Sequence, residues 1–420
     1  MRLLGLQEDP RALRHRLPHG KPPALLIGGI NLVRALGLAG IPVIVAGPRR
    51  SEATASRWCV GFCRLPPLKR SASAAEALAL TGERLREAFG ECIPLYYGND
   101  DALELLQQCR AVLQPRFRFV LNDAAVAEAL LDKDRFQDFA ERRALPIPRR
   151  FQWKALADAD CRVIVKPKRK TDWDRALVHR RLFGRAGKAR IYPSGHDVLA
   201  DPLARKLSGR LAFQEYISGE DLDLWSFHGF ADEHGRLLEW FTGRKIRTYP
   251  ALTGESSYIR MQADEELEAL GIDLVRRIPL KGPFKIDFKR DGASGQLYVL
   301  EVNARYTLWH YLGAVNGVNL PGVAYDYMVR ALRPTCHARA TEKYRWVSIG
   351  LDYRAYREAA RHGRLSARGW IASLAQAPRV YQVFAWRDPA PLFHYWYLRY
   401  RGLPARLLVR LRNRWLSTAS

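Results

Sequence analysis

Two short segments near residue 295 contain the side chains best suited to chemistry. KIDFK (285–289) and LEVNAR (300–305) both have the alternating pattern of a β-strand, and a glycine-containing turn separates them. A hairpin would place the two strands side by side. Side chains alternate between the faces of a strand, so each segment is expected to present polar residues on one face and apolar residues on the other.

The polar face of this hairpin combines oxygen ligands with cations. Asp287 is expected to lie near Glu301 and Asn303. The cations of the same face are Lys285, Lys289 and Arg305, and the apolar residues expected on the opposite face are Ile286, Phe288, Leu300 and Val302. Mg²⁺ binds through one or two carboxylates plus phosphate oxygens, which this set could provide. The spacing is equally compatible with a solvated strand face that holds surface ion pairs.

Three further segments place polar groups at the ends of apolar strands. In VIVKP, Lys166 could reach the phosphates of a nucleotide bound on the sheet. In FQEYISGEDLD, the backbone of residues 214–217 could read an adenine edge, and Glu220 or Asp223 could hold ribose hydroxyls. FTGRKIR (241–247) groups three cations, which fits either phosphate binding or plain surface charge.

The order of elements predicts an α/β protein. From residue 24 to about 121, apolar strands alternate with helical patterns, and this rhythm implies a parallel, Rossmann-like sheet. Gly28-Gly29 does not complete a dinucleotide-binding motif. Residues 211–305 read as long strands joined by hairpins, and residues 336–420 are basic and rich in Trp and Tyr.

Composition narrows the class of protein. A chain of 420 residues is expected to form two or three domains, and its formal net charge of +25 fits nucleic acid, an anionic membrane or anionic small molecules, besides a solvated arginine-rich surface. The six cysteines lack metal-ligand spacing, so we expect reduced, structural thiols. No stretch reaches the roughly 18 apolar residues of a membrane span. A cytoplasmic location follows as the expectation.

The basic C-terminal region leaves three interpretations open. Residues 394–414 interleave aromatic side chains with arginine, and the leucines between 403 and 411 could share one helical face. Such a segment could pack against its own protein, lie on an anionic membrane or a protein partner, or stack on nucleic acid. No recognised nucleic-acid module is present, so no specific nucleic acid is expected.

In their order and spacing, these segments resemble the ATP-grasp superfamily, and in particular its carboxylate–amine ligase-like branch. The similarity runs from about residue 24 to 330. The matching strings are LLIGGINLVRALGLAGIPVIV, LLDKDRFQDFAERRALPIPR, VIVKP, QEYISGEDLDLWSF, WFTGRK and FKIDF followed by LEVNAR. The resemblance implies a Rossmann-like pre-ATP-grasp domain (1–125), a two-lobed ATP-grasp domain with a small lobe (126–210) and a large lobe (211–335), and a basic aromatic C-terminal extension (336–420).

The resemblance also implies a role for each matching residue. Lys133 and Lys166 resemble the phosphate-binding lysines, and Asp223 resembles the ribose ligand, with Glu220 second. The hinge beside adenine would be Gln214, Glu215, Tyr216 and Ile217. The ligands of two Mg²⁺ ions, with Mn²⁺ as an alternative metal, would be Asp287, Glu301 and Asn303.

Four cations resemble groups that act on the reacting atoms. Lys245, with Arg244, resembles the γ-phosphate cation. Arg305 resembles the residue that meets the substrate carboxylate or the transferred phosphate. Lys285 stands where relatives often place an arginine. One departure is the loop after VIVKP (168–181), which lacks glycine. Either its backbone amides or the side chains of Lys168, Arg169, Lys170 and Thr171 would cover the phosphates.

The activity implied by the resemblance is ATP-dependent ligation. ATP would convert a small-molecule carboxylate into an acyl phosphate, an amine or a thiol would then attack it, and ADP and phosphate would leave. The alternative is a nucleotide-binding or scaffold protein that keeps the fold without turnover and associates with a membrane surface. The pattern does not identify the acid, the amine or the oligomeric state.

Overall fold

The computed structural model describes residues 4–17, 21–168, 181–184 and 187–401. The strands span Gly5–Leu6, Ala24–Ile27, Val43–Gly47, Cys59–Arg64, Ile93–Tyr97, Phe117–Arg118, Arg150–Phe151, Val163–Pro167, Arg190–Tyr192, Leu211–Glu215, Leu224–Ala231, Leu237–Tyr249, Glu255–Met261, Gly282–Arg290, Leu297–Asn303, Arg345–Val347 and Arg379–Tyr381. The helices span Pro10–Arg16, Ile30–Leu38, Ser71–Phe89, Asp100–Gln108, Arg110–Leu113, Ala124–Leu131, Lys133–Arg142, Gly195–Ala200, Pro202–Leu207, Glu265–Arg277, Trp309–Val315, Leu320–Arg330, Ile349–Arg361, Ala367–Ala375 and Ala390–Tyr400. None of these helices combines the length and apolar character that crossing a membrane requires.

The chain divides into two compact units. The first comprises Met1–Leu105, Cys109–Phe117 and Gln382–Ser420, and the second comprises Leu106–Gln108 and Arg118–Tyr381. Every residue of the candidate site belongs to the second unit. The first unit therefore combines the N-terminal region with the end of the chain, which the sequence had suggested as a separate extension.

The first unit is built on the expected parallel sheet. Ala24–Ile27 pairs in parallel with both Val43–Gly47 and Ile93–Tyr97, and Cys59–Arg64 pairs in parallel with Val43–Gly47. The short strand Gly5–Leu6 adds an antiparallel edge. The side chains of these central strands are buried because helices cover a parallel sheet on both faces.

A buried ion pair ties the end of the chain to this unit. Arg34 lies fully buried on the helix Ile30–Leu38, and its Nε donates to Asp388 Oδ2 at 3.1 Å. The Ser56 hydroxyl donates to the same oxygen at 2.9 Å, and the Arg57 N–H donates to Asp388 Oδ1 at 2.9 Å. Asp388, just before the segment 394–414, therefore packs against its own protein. The three interpretations of that segment stay predictions, and its residues 402–414 lie outside the described residues.

The second unit contains two sheets, which are antiparallel except for the parallel pair Arg345–Val347 and Arg379–Tyr381 of the larger one. The smaller sheet has the strand order Arg150–Phe151, Leu211–Glu215, Val163–Pro167 and Arg190–Tyr192. Leu211–Glu215 pairs with Val163–Pro167 along its whole length. The boundary between lobes that we expected before residue 211 thus falls after Glu215, because the hydrogen-bonding partner of this strand lies in the small sheet.

The larger sheet has seven strands. Their order is Leu297–Asn303, Gly282–Arg290, Leu224–Ala231, Leu237–Tyr249, Glu255–Met261, Arg345–Val347 and Arg379–Tyr381. The last two strands lie beyond residue 335, so residues 345–381 extend this sheet and do not form a separate extension. The helix Lys133–Arg142 was expected in the small lobe (126–210). Its Phe136 and Phe139 instead join the apolar core beneath the larger sheet.

The buried ion pair leads to a prediction about stability. Asp388→Ala should destabilise the first unit by about 3–5 kcal/mol, because it leaves the buried Arg34 guanidinium without its carboxylate. Glu83→Ala, which breaks the more exposed pair with Arg116 at 2.7 Å, should cost less than about 1 kcal/mol. Hydrogen exchange of the helix Ile30–Leu38 measures both losses. Equal protection in the two variants would contradict this account.

Candidate active site

The hairpin of Gly282–Arg290 and Leu297–Asn303 brings the candidate metal ligands together. Asp287 pairs across from Glu301, and Lys285 pairs across from Asn303. Strand alternation predicted this arrangement. Ile286, Phe288 and Val302 are buried in the core beneath the sheet, as expected. Leu300 is the exception, and the expectation for it was wrong. A bulge after Asp287 aligns Phe288 with Val299, and Val299 enters the core in its place.

Asp287 is surrounded by donors from four strands. Lys285 Nζ lies 2.7 Å from Asp287 Oδ2, and Lys245 Nζ lies 3.6 Å from Oδ1. The buried Ser226 hydroxyl donates to Oδ1 at 2.9 Å, and Asn303 Nδ2 is 3.5 Å from Oδ2. Ser226 comes from Leu224–Ala231, the strand that pairs with the other side of Gly282–Arg290. The carboxylate is therefore held in place by charge and by hydrogen bonds.

The charge state of Asp287 follows from these contacts. Burial alone would raise the pKa of Asp287, but the nearby ammonium groups of Lys285 and Lys245 and the hydrogen bonds from Lys285 and Ser226 outweigh it and lower the pKa to about 2. Burial also lowers the pKa of Lys285, although Asp287 opposes that shift. Asp287 is thus ionised across the physiological range and can act as an anionic ligand.

An aromatic floor lies beneath Lys285. Lys285 Nζ is 5.6 Å from the centroid of the Trp309 ring, and the buried His228 stacks between Trp309 and Phe241. Burial, together with the charges of His310, Lys285 and Lys245, holds the pKa of His228 well below its usual range. His228 is therefore neutral, and this apolar floor leaves Asp287 as the nearest counter-charge of Lys285.

Lys166 is oriented by a chain of amides. Its Nζ donates to Gln214 Oε1 at 3.1 Å. Gln214 Nε2 donates to Gln137 Oε1 at 2.7 Å, and Gln137 Nε2 donates to the carbonyl of Pro148 at 2.9 Å. Gln137 lies on the helix Lys133–Arg142 and is buried. Sequence reasoning missed this residue, because a glutamine on a helix gives no signal of a partner 77 residues away.

The charge of Lys166 interacts with charged residues of the hairpin, Glu301 and Lys289. Burial lowers the pKa of Lys166 to about 8, and the charges of Lys133 and Lys289 lower it further, whereas Glu301 raises it. The strand Val163–Pro167 belongs to the small sheet and Glu301 to the large one. The two sheets of the second unit therefore meet around one group of charges.

The predicted hinge has a well-defined pattern of backbone donors. The Glu215 N–H donates to the carbonyl of Arg149 at 2.8 Å, and the Tyr216 N–H donates to that of Arg162 at 2.8 Å. The Ile217 N–H has no acceptor among the residues that the structure describes. Of these three N–H groups, that of Ile217 is the one available to a ligand.

Lys289, which the sequence grouped only with the cations of the Asp287 face, stands beside this hinge. It is 3% exposed, and its Nζ donates to the Gly219 carbonyl at 3.0 Å and to Tyr216 Oη at 3.2 Å. Asp223 lies close enough to oppose the fall in the pKa of Lys289 that burial causes. Asp223 Oδ2 also accepts the Glu220 N–H at 2.7 Å. The predicted ribose residue therefore lies next to the predicted hinge.

The structure separates Arg244 from Lys245. Lys245 faces Asp287, but Arg244 Nη2 lies 3.7 Å from Asp223 Oδ1 and its guanidinium lies over the Trp225 ring. Consecutive strand residues point to opposite faces, which explains the difference. Lys245 alone of this pair therefore faces the candidate metal ligands.

Two further residues complete the description of the site. Arg305 Nη2 donates to Asn303 Oδ1 at 3.2 Å. Lys168 Nζ lies 2.6 Å from Asp134 Oδ2, and its carbonyl accepts the Lys133 N–H. The rest of the glycine-poor loop, residues 169–180, lies outside the described residues.

The candidate metal ligands form a small set. Within the ranges described, no cluster of three His, Cys, Asp or Glu side chains is placed to hold a metal ion. Asp287, Glu301 and Asn303 supply two carboxylates and one amide. Magnesium takes a few protein oxygens and fills its remaining positions with water and phosphate, so this donor set fits it.

The amine of Lys166 should titrate near pH 8. Lys133→Ala should raise its pKa, because a neighbouring positive charge is removed, and Glu301→Gln should lower it, because a neighbouring negative charge is removed. Lys206→Ala, an exposed lysine on the helix Pro202–Leu207, should have no effect and is the control. NMR of ¹³C-methylated lysines, assigned with Lys166→Arg, measures the shifts. An ordinary lysine pKa would contradict this electrostatic description.

Comparison with known sequences gives one limited match. No protein-family model matches the chain. A D-alanine–D-alanine ligase from Xanthomonas axonopodis pv. citri (strain 306) is 28% identical over 127 residues, which are 28% of this chain and 38% of that ligase. The match therefore spans well under half of the ligase.

Comparison with solved structures covers most of the chain. The ADP complex of N5-carboxyaminoimidazole synthetase from Staphylococcus aureus has a TM-score of 0.56 at 13% identity, over 77% of this chain and 81% of that one. The biotin carboxylase domain of 2-oxoglutarate carboxylase from Hydrogenobacter thermophilus, with MgADP and bicarbonate, has a TM-score of 0.55 at 15% identity, over 77% and 73%. The L-amino acid ligase from Bacillus licheniformis has a TM-score of 0.51 at 15% identity, over 74% and 75%. The chain therefore shares its fold with these three enzymes, as the resemblance to the ATP-grasp superfamily had implied.

Proposed function

We propose that the protein is an ATP-dependent ligase. It converts a small-molecule carboxylate into an acyl phosphate and joins it to an amine, with release of ADP and phosphate. The observation that carries this proposal is the position of Asp287, opposite Glu301 and between Lys285 and Lys245, on a fold shared with named ligases. The partial similarity to a D-alanine–D-alanine ligase supports the same class of reaction.

The nucleotide lies where the two sheets meet. The Ile217 N–H and the Glu215 carbonyl face the adenine edge, with the Gln214 and Tyr216 positions completing the hinge. Asp223 holds the ribose hydroxyls. Lys133 and Lys166 bind the phosphates. An anionic ligand beside Lys166 would raise its lowered pKa, because it stabilises the protonated amine.

The metal ligands are Asp287, Glu301 and Asn303, with Mg²⁺ as the physiological ion and Mn²⁺ as a substitute. When bound, the metal supplies positive charge to the phosphate oxygens. Lys285 and Lys245 compensate the charge of the Asp287 carboxylate. With a cation held at Asp287, both lysines would be available to the phosphates.

The reacting groups are positioned by three cations. Transfer of the γ-phosphoryl group to a carboxylate oxygen builds charge on the phosphoryl oxygens, and catalysis depends on positioning and on compensating that charge. Lys245 faces the γ-phosphate, Arg305 faces the substrate carboxylate, and Lys285 supports both. Each well-placed donor contributes about 3–4 kcal/mol by analogy with oxyanion donors.

The second half of the reaction forms the new bond. The amine nitrogen attacks the acyl carbon, the bond from that carbon to the phosphate oxygen breaks, and the nitrogen loses a proton. Water competes with the amine for the acyl phosphate, so the site must exclude it during this step. Arg305 is hydrogen-bonded to Asn303. It holds the acyl group in place while the phosphate leaves.

The alternative is a nucleotide-binding protein without turnover. Binding a nucleotide requires the hinge and the phosphate-binding lysines. It does not require two carboxylates, Asp287 and Glu301, next to the γ-phosphate cation Lys245. The chain retains Asp287, Glu301 and Lys245 around one point. This combination favours the ligase, and nucleotide turnover distinguishes the two functions.

Binding of Mg·ATP should depend on Glu301. Calorimetry should show that Glu301→Ala lowers the affinity for ATP in the presence of Mg²⁺ and has little effect in excess chelator, because the carboxylate acts through the metal. Glu255→Ala is a matched control, since this exposed carboxylate lies on another strand of the same sheet and pairs with Lys188. If Glu301→Ala binds Mg·ATP as the native protein does, the metal assignment is wrong.

The products should be ADP and phosphate. A screen of amino acids and other carboxylates should identify acids that stimulate ADP release, and hydroxylamine should trap each acyl phosphate as a hydroxamate. Asp287→Asn should abolish the hydroxamate, because the amide lacks the charge that a metal ligand needs here. AMP and pyrophosphate as products would instead identify an adenylating enzyme, and no turnover with any acid would favour the binding protein.

A further inference from the structure

The helix Ala390–Tyr400 presents a row of aromatic side chains to solvent. Phe393, Trp396, Tyr397 and Tyr400 are 64%, 51%, 60% and 51% exposed. Their spacing of three, four and seven residues places them on one helical face. We call these four residues the aromatic stripe. Exposed apolar side chains that occur singly need no explanation, but a continuous row of them marks an interaction surface.

The other side of this segment is fixed to the first unit. Asp388 is buried against Arg34, and Pro391 is buried at the start of the helix. The helix also contacts the 3₁₀ turn Glu52–Ala55. Its packing face is therefore already occupied within the chain. The aromatic stripe is a second face, held outward by a fixed anchor.

The residue types of the stripe favour a lipid–water interface. Trp and Tyr have an apolar ring with a polar group at one end, and they concentrate at the level of the lipid headgroups. Trp386, just before the helix, is 86% exposed and adds another such ring. An amphipathic helix of this kind lies in the plane of the interface with its aromatic face inserted.

The charge of the same region selects the type of lipid. From residue 389 to residue 420 the sequence contains no Asp or Glu. The arginines of this region are Arg399, Arg401, Arg406, Arg410, Arg412 and Arg414. The acidic residue just before it, Asp388, is neutralised by Arg34. Basic segments beside an inserted helix are attracted to anionic headgroups, and salt screens that attraction.

We propose that the aromatic stripe docks the protein on the surface of an anionic lipid bilayer. The rings enter the headgroup region, and Arg399 and Arg401 at the end of the helix contact the lipid phosphates. The stripe and the metal ligands belong to different units, and the interaction requires no turnover. The proposal is therefore independent of the ligase activity.

Vesicle flotation of the full chain tests this proposal. The native protein should float with phosphatidylglycerol-containing vesicles at low salt and float less as salt is raised. It should stay unbound with vesicles of phosphatidylcholine alone. Replacing all four stripe residues by serine should reduce the bound fraction at least about ten-fold, because both the inserted rings and their orientation are lost.

A matched control removes four exposed apolar side chains elsewhere: Leu80, Val112, Leu332 and Ile371. This control should float like the native protein. If the four-residue stripe variant does not fold, Trp396→Ser alone should still lower the bound fraction. Flotation that is unchanged in the folded stripe variants would overturn the proposal. So would a native dimer that the stripe substitutions convert to a monomer without any effect on flotation, since the stripe would then join two copies of the chain.

Discussion

A carboxylate in the interior of a protein needs opposite charge around it, and Asp287 obtains this charge from two lysines on different strands. Lys285 lies 2.7 Å away and Lys245 lies 3.6 Å away, while Ser226 donates a hydrogen bond from below. Removing one charge of a buried ion pair lowers the stability of the protein. The contacts of Asp287 with Lys285, Lys245 and Ser226 therefore help to fix the register of the three strands that carry these residues. The arrangement concentrates cations where a polyphosphate can bind.

The small sheet contributes a further cation, Lys166, to the same group of charges. Burial lowers the pKa of Lys166, and the charges of neighbouring lysines lower it further. The amide chain through Gln214 and Gln137 holds it in place all the same. Electrostatic repulsion between these lysines is reduced when an anion binds among them. On this view the affinity for nucleotide arises from relief of repulsion as much as from new contacts.

Local patterns in the sequence predicted the parts of this site that depend on strand alternation. Asp287 and Glu301 were expected to face each other, and they do. Alternation could not predict the bulge that exchanges Leu300 for Val299, because a single extra residue depends on packing against the core. For the same reason Ser226 and Gln137 were missed, since their partners are set by long-range pairing and not by neighbours in sequence.

Domain boundaries were harder to predict than the elements themselves. The strand Leu211–Glu215 was expected in the large lobe, but its hydrogen-bonding partner lies in the small sheet. The C-terminal segment contributes Asp388 to the first unit, and a fully buried Arg34 inside an apolar helix was the signal that a distant carboxylate had to exist. An arginine in a run such as LVRALGL is therefore informative about chain ends that composition alone describes only as basic.

The most direct test of the central claim is a crystal structure of the full chain with Mg²⁺ and a non-hydrolysable ATP analogue. The account predicts a metal ion at about 2.1 Å from oxygens of Asp287, Glu301 and Asn303. It also predicts that Lys285 and Lys245 move from Asp287 to the phosphates. A nucleotide bound elsewhere, or a metal that leaves both lysines paired with Asp287, would contradict it.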